Sequence, residues 1–284
     1  MFDLRVVSGN TSLKMGHRQS VYKITTLTGI DGIPVSVVTS QGFEQVGESV
    51  DSMSVGSRQI GLIGRIDNFT GEQLQALNTA FLPMMTVRLY FEEKYWIDAV
   101  IKEAPVFTYS LRTVLFAVQL LAPYPYWKSV KEHYYKLGGS TGGFNFPVSY
   151  DTPHNFEQFN ETLFLNCVNR GNTRVDYSAE IRCTSGQAAN ITLTNAGNQK
   201  FIAVKTTLTA ADTMRIFREN NILRVTKETA GQTSDIFSAL DEDSNLFFMD
   251  VGDNVIRADK ESGDGRLAVV IRFCDTVAGV RYGI

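Results

Sequence analysis

Residues Val114-Leu-Phe-Ala-Val-Gln-Leu-Leu-Ala-Pro-Tyr-Pro-Tyr-Trp127 read as an alternating strand that stops at two prolines and an aromatic cluster. Val114, Phe116, Val118 and Leu120 recur at the period of two that a strand imposes, so they share one face. Their neighbours Leu115, Ala117 and Leu121 are also largely apolar, which predicts a strand covered on both faces. Pro123 and Pro125 end it, because proline cannot donate to a ladder.

The same period recurs on either side. Ile60, Leu62 and Ile66 alternate with Gly61, Gly64 and Arg65, and Val87, Leu89 and Phe91 with Arg88 and Tyr90. Further on, Val175, Tyr177, Ala179, Ile181 and Cys183 alternate with Asp176, Ser178, Glu180 and Arg182, and Leu267, Val269, Ile271 and Phe273 close the chain in the same way. Asn245-Leu-Phe-Phe-Met-Asp-Val-Gly-Asp-Asn254 leads into a strand from Val255 to Asp259. The chain is therefore mainly β, with a sandwich or barrel expected in each half. One helix interrupts this pattern. Thr70-Gly-Glu-Gln73 fits a capping box, and Leu74, Leu77 and Phe81 follow at helical spacing before Pro83 ends the segment.

Gly138-Gly-Ser-Thr-Gly-Gly143 and the aperiodic Pro147 to Phe159 place a boundary after Trp127. The expected division is a β domain with the helix at 1–128, a connector at 129–160 and a β-sandwich at 161–284. With 284 residues, 43% hydrophobic, there is ample material for two cores. Net charge is −3 and the basic residues are scattered, which argues against a nucleic-acid or membrane-surface binder. No basic segment followed by an apolar one opens the chain, and no apolar window reaches 18 residues, so neither a secretory signal nor a spanning helix is expected. Cys167, Cys183 and Cys274 are widely spaced and suit reduced, strand-borne thiols rather than a metal site. The sequons at Asn10, Asn68, Asn160 and Asn190 are then chance.

Candidate chemistry is thin. Gly138-Gly-Ser140-Thr-Gly142 matches a nucleophile elbow in letters but lacks the flanking helix, and Phe144 stands where a P-loop needs lysine. Asp241-Glu-Asp243-Ser-Asn245 opens like a calcium loop, yet Leu246 and Gly252 occupy the positions of the glycine and the bidentate glutamate. His17, His133 and His154 are far apart. No catalytic, metal or cofactor site is expected. Tyr124, Tyr126 and Trp127, with Tyr134 and Tyr135 nearby, either seal the base of a barrel or offer a sugar-stacking surface.

Read in order, several stretches resemble the distal tail protein family of long-tailed bacteriophages. These are Arg58-Gln-Ile-Gly-Leu-Ile-Gly-Arg-Ile66, the helix from Gly71 to Leu82 with Pro83, Tyr95-Trp-Ile-Asp-Ala-Val-Ile-Lys-Glu-Ala-Pro105, and Ala122-Pro-Tyr-Pro-Tyr-Trp127. In the second half, Asn169-Arg-Gly-Asn172 resembles the turn that opens the family's C-terminal sandwich, and Phe247 to Asn254 its last hairpin. The resemblance implies a barrel or split-barrel N-terminal domain and a galectin-like C-terminal β-sandwich. It implies a homo-hexameric ring between the tail tube protein and the tail-tip hub protein, with receptor-binding proteins carried or contacted outside. DNA would pass through the lumen without specific binding, since a mildly acidic chain neutralises few phosphates. A ring also needs complementary edges, which strand-rich domains supply. Location at the virion tail tip, after assembly in the host cytoplasm, and the absence of enzymatic activity and cofactors follow from the same resemblance. Arg58, Arg65, Tyr124, Tyr126 and Trp127 are its ring-interface or hallmark candidates. Arg170 departs from the family pattern, and no insertion of the kind that adds a carbohydrate-binding module is present. Two other readings stay open: a carbohydrate-binding or receptor-binding module touching the host wall, and a hydrolase using Ser140, His133 or His154.

Overall fold

A computed structural model describes residues 3–16, 20–138, 140–142, 157–159, 164–219 and 222–280, with only the backbone at 140–142 and 157–159. Among the described residues strands make up 66%, with one α-helix. Two compact units form, Met1–Lys131 with Thr276–Ile284, and Glu132–Asp275. The sequence reading put the whole of 161–284 in the second domain; the stretch after Asp275 instead packs with the first.

The first unit holds β1 (Asp3–Ser8), β2 (Thr11–Gly16), β3 (Tyr22–Thr28), β4 (Val35–Ser40), β5 (Ser49–Val55), β6 (Arg58–Asp67), α1 (Gly71–Ala80), β7 (Thr86–Phe91), β8 (Tyr95–Tyr109), β9 (Thr113–Ala122) and the start of β10 (Trp127–Leu137). Seven of these strands close into a barrel in the order β7-β1-β2-β3-β6-β9-β8, with β7 and β8 paired. β8 makes the corner. Its first half pairs with β7 and its second half with β9, and register shifts between Ile101 and Val106 bend it from one partner to the other. The alternating residues read from sequence face inward: Ile60, Leu62, Ile66, Leu89, Phe116, Val118 and Leu120 are all buried in one core. The opposite face of β9 departs from expectation. Leu115 is exposed, because that face is the outside of the barrel and nothing in this unit covers it.

Helix α1 forms as its letters require. Gln73 donates its amide to Thr70 Oγ1 at 3.4 Å, and the Thr70 amide reaches Gln73 Oε1 at 3.0 Å, completing the capping box. Leu77, Ala80 and Phe81 bury the helix against the barrel core.

The second unit contains the rest of β10, β11 (Ser140–Gly142), β12 (Glu157–Phe159), β13 (Phe164–Asn169), β14 (Ser178–Ser185), β15 (Gln187–Asn195), β16 (Lys200–Thr209), β17 (Asp212–Glu219), β18 (Ile222–Thr229), β19 (Gln232–Asp235), β20 (Gly252–Ser262) and β21 (Arg266–Val277). One sheet runs β19-β18-β17-β14-β21 and the other β13-β20-β15-β16. Ile181, Met214, Val225, Val269 and Ile271 from the first meet Leu193, Ile202, Val204 and Ile256 from the second in a single core. This is a two-sheet sandwich. β20 and β21 are consecutive in sequence but lie in opposite sheets.

The two motifs of this half meet. Asn169, buried, donates through Nδ2 to the Thr173 carbonyl at 2.9 Å and the Met249 carbonyl at 3.0 Å, while Val175 bridges Met249. Asn254 accepts the Asp250 amide at 2.9 Å and donates to the Asp250 carbonyl at 2.7 Å. Phe247 to Asn254 is thus a turn pinned by asparagine side chains, correcting the expected hairpin. Local side-chain bonds of this kind out-compete ladder pairing.

Two buried polar groups set predictions. Arg58, 0% exposed, donates from Nε to the Pro125 carbonyl and from Nη1 to the Gly29 carbonyl, each at 2.6 Å, and from Nη2 to the Ala278 carbonyl. Burial pulls its guanidinium below the usual arginine range, with nearby Asp31 opposing, yet arginine stays charged in proteins. This bond and the Val280 amide on the Ile30 carbonyl are what return the residues after Asp275 to the first unit. Lysine carries one ammonium where three separated carbonyls wait. Arg58→Lys should therefore lose about 3 kcal/mol in urea unfolding and leave the 276–280 segment open to limited proteolysis. Asp212, also buried, accepts the Thr209 amide at 2.8 Å, the Thr209 hydroxyl at 2.9 Å, the Thr229 hydroxyl, and Lys227 Nζ at 3.1 Å. Burial alone would raise its carboxyl, but these bonds, led by Thr229, hold it well below the usual range. Stability from a depressed carboxyl is full above its unfolded value, about 4, and is lost as pH falls toward the folded one. Asp212→Asn should cost about 2 kcal/mol at neutral pH, and the gap to the parent chain should narrow in urea titrations at about pH 3.

Candidate functional site

Among the described residues β4 and β5 pair with each other and with no other strand. The register sets Val35 opposite Val55, Val37 opposite Met53 and Thr39 opposite Val50, with Asp51 bulged out between. Residues directly opposite share a face. One face of this ribbon is therefore Val35, Val37, Thr39, Val50, Met53 and Val55, and the other is Ser36, Ser54, Val38, Ser52, Ser40 and Ser49. Ser40 Oγ donates to Asp51 Oδ1 at 2.8 Å and fixes the bulge. Every residue of both strands is exposed, Met53 to 71%, and Phe43 in the connecting turn to 96%. An isolated two-stranded ribbon is marginal in water, and an uncovered apolar face of this size marks a place where another surface belongs. The sequence reading passed over this stretch. Its signal was the Val/Ser alternation from Val35 to Ser40 and from Ser49 to Val55, which lacks a bulky residue to draw notice.

A second uncovered apolar area lies on the barrel's outer surface. Ile63 on β6, Ala117 on β9 and Val106 on β8 sit side by side across three strands, with Leu115 adjoining. Ile63, Val106 and Leu115 are exposed.

The five candidates picked from sequence separate. Arg58 is the interior brace described above, so it cannot contact another chain; a residue at the start of a strand was read without knowing which way it turned. Arg65 stays on the surface beside that apolar area, Nε 3.6 Å from Asp67 Oδ1. The Lys23 ammonium at 2.8 Å, then Arg65, hold the Asp67 carboxyl below the usual range. Trp127 is wholly buried with its ring edge-on to Phe91 at 6.2 Å, and its indole N–H meets no acceptor among the described residues. Tyr124 and Tyr126 are half-buried and pack edge-to-face at 5.4 Å, with Lys128 Nζ 5.0 Å from the Tyr124 ring. Trp127 belongs to the barrel core. It leaves no free indole face for a sugar.

His133 Nε2 lies 2.7 Å from Asp275 Oδ2, its ring against Tyr135 and Phe273, and Asp275 also accepts the Arg170 amide at 3.0 Å. Ser140 belongs to a strand paired with 157–159, so no strand-turn-helix elbow carries it. His17 and His154 lie outside the described residues. Asp241 accepts the Asp243 amide and pairs with Lys205 at 3.0 Å, which commits the carboxylate of the calcium-like stretch to a turn. Among the described residues no three His, Cys, Asp or Glu gather closely enough to hold a metal ion, and no helix is long and apolar enough to cross a membrane. Burial pushes the Cys167 thiol up to about 12, far from a reactive thiolate.

No protein-family model and no curated protein matches the sequence. Solved structures do match the fold. The SPP1 Dit protein, described as a paradigm of the hub adsorption apparatus in phages that infect Gram-positive hosts, aligns with a TM-score of 0.68 at 11% identity, covering 96% of this chain and 98% of that one. A chain of the phage P2 baseplate in its activated conformation with Ca aligns with a TM-score of 0.54 at 11% identity, covering 99% and 100%. The same baseplate with Sr gives 0.50 at 10% identity, over 99% and 100%. The chain thus has the fold of the Dit hub protein, barrel unit and sandwich unit alike.

Proposed function

We propose that this chain is a structural virion protein, the distal tail protein of a long-tailed phage. In this reading six copies close a ring between the tail tube and the tip or baseplate. The first units form the ring, and the sandwich, galectin-like in this reading, serves as the attachment point for host-recognition proteins. It has no enzymatic role, and its partners are other virion proteins at the tail tip. The observation that carries the proposal is the fold likeness to SPP1 Dit over nearly the whole of both chains.

The ribbon supports the ring. Most strand edges of the closed barrel are used within the chain, its β2–β3 seam being the exception with two residue pairs. The β4–β5 ribbon supplies both edges and an apolar face instead. An arm on each copy that seats on a different surface of the next is a heterologous contact, the kind that closes rings. The exposed area around Ile63, Val106 and Leu115 has the apolar character such a seat requires.

Light scattering coupled to size exclusion tests this over a wide range of concentration. The expected mass approaches six times 31.6 kDa, or a double ring, as concentration rises. The pair Val37→Lys and Met53→Lys charges the apolar face of an exposed ribbon. It should therefore leave unfolding within about 0.5 kcal/mol of the parent while reducing the mass to that of one chain. A parent chain that stays at 31.6 kDa throughout, with no rings in electron micrographs, would overturn the proposal.

A further inference from the structure

The outer face of the β17-β14-β21 sheet carries an open groove lined by Ser178, Glu180, Arg215, Phe217, Arg218, Val270 and Arg272. Around it stand five guanidinium groups, Arg174, Arg182, Arg215, Arg218 and Arg272, against three carboxylates, Asp176, Glu180 and Glu228. The carboxylates are already engaged. Glu180 is shared by Arg182 at 2.7 Å and Arg215 at 3.3 Å, Glu228 meets Arg215 at 2.9 Å, and Asp176 meets Arg218 at 2.8 Å. Arg272 lies 5.4 Å from the Tyr134 ring and Arg174 lies 4.7 Å from the Phe248 ring, and neither has a carboxylate partner among the described residues. A chain of net charge −3 therefore gathers an excess of two positive charges on this face.

We infer that this groove binds an acidic segment of another polypeptide. Guanidinium forks recognise carboxylates and phosphates alike, and two of them set apart on one face suit a repeated acid. Arg272 is level with Ser178 and Arg215 with Glu180 on the strand between them. Two strand separations and two residues of rise put their backbones about 12 Å apart. Acidic residues four apart in an extended segment, at about 3.3 Å per residue, match that spacing. Phe217 and Val270 give the floor an apolar surface for the methylenes of glutamate. The sheet already shows the geometry, since Glu180 and Glu228 on flanking strands meet Arg215 in this way. That the acidic polymer is protein rests on the hub role proposed above.

The test uses the full chain and a fluorescein-labelled hexaglutamate peptide, followed by anisotropy, with poly(glycerol phosphate) as competing anion. Saturable binding is expected, weakened by salt and at least tenfold weaker in Arg272→Gln combined with Arg215→Gln. Arg257→Gln, on the other sheet, should leave it unchanged. No saturable binding, equal binding by the double variant, or displacement of the peptide by poly(glycerol phosphate) at lower concentration overturns the inference. The mass of the same samples separates the two proposals: rings that ignore the peptide sink only the groove, and single chains that bind it sink only the ring.

Discussion

A guanidinium taken out of water costs several kcal/mol unless its N–H groups find acceptors, and that constraint organises the first unit. Arg58 starts β6, and its side chain crosses to three carbonyls from segments distant in sequence: the turn after β3, the proline turn after β9, and the stretch after β21. Those acceptors are backbone groups, so the bonds fix the path of the chain rather than particular side chains. Gly29 shows how tightly the path is set. It lies at φ +77, and a Cβ there would collide with the Gln59 carbonyl. The Pro125 carbonyl belongs to the same proline turn that leads into Trp127, buried against Phe91, so the brace and this core residue are set together.

Closing the barrel has a consequence for association. Each of its seven strands has a neighbour on both sides, though β2 and β3 meet over only two residue pairs, which leaves little of the edge by which β proteins join or aggregate. In the proposed ring, contact with another copy then uses side chains of the outer surface and an element outside the barrel, the ribbon. Its serine face tolerates water while its valine and methionine face does not, and the bulge at Asp51 adds local twist to the ribbon. The sandwich handles its edges differently: β16 is partly covered where Leu240 bridges Val204 and the Asp241 amide reaches the Ala203 carbonyl.

What could be read from sequence was what period and capping chemistry specify. Val114 to Leu120, Ile60 to Ile66 and Leu267 to Phe273 face inward as their alternation requires, and Thr70 and Gln73 cap the helix they announce. The class of fold followed from these. Three things did not. Arg58 was picked out as a hallmark, but a charged letter carries no sign of being buried; only the carbonyls around it do. The exposure of Leu115 was missed because an apolar face reads the same whether this chain or another covers it. The meeting of Asn169 with Met249 joins positions 80 apart, and no local pattern reports such a distance.

The same reasoning explains how a fold persists when about one residue in nine is shared. Core positions ask only for apolar volume at the right period, and many sequences meet that demand. The exacting demands are few and are made on backbone atoms. Arg58 on three carbonyls, Asn169 on two and Asn254 on the Asp250 turn each use a side chain to hold main chain, and main chain is common to every sequence. Replacing such a side chain strands buried carbonyls, a loss that no neighbouring substitution can recover by volume alone. Four of the six stretches through which this chain resembles distal tail proteins contain Arg58, Pro125, Asn169 or Asn254. In each of those four the hydrogen bonds join a polar side chain to main chain, so they hold the path of the chain and not the identity of a neighbouring side chain.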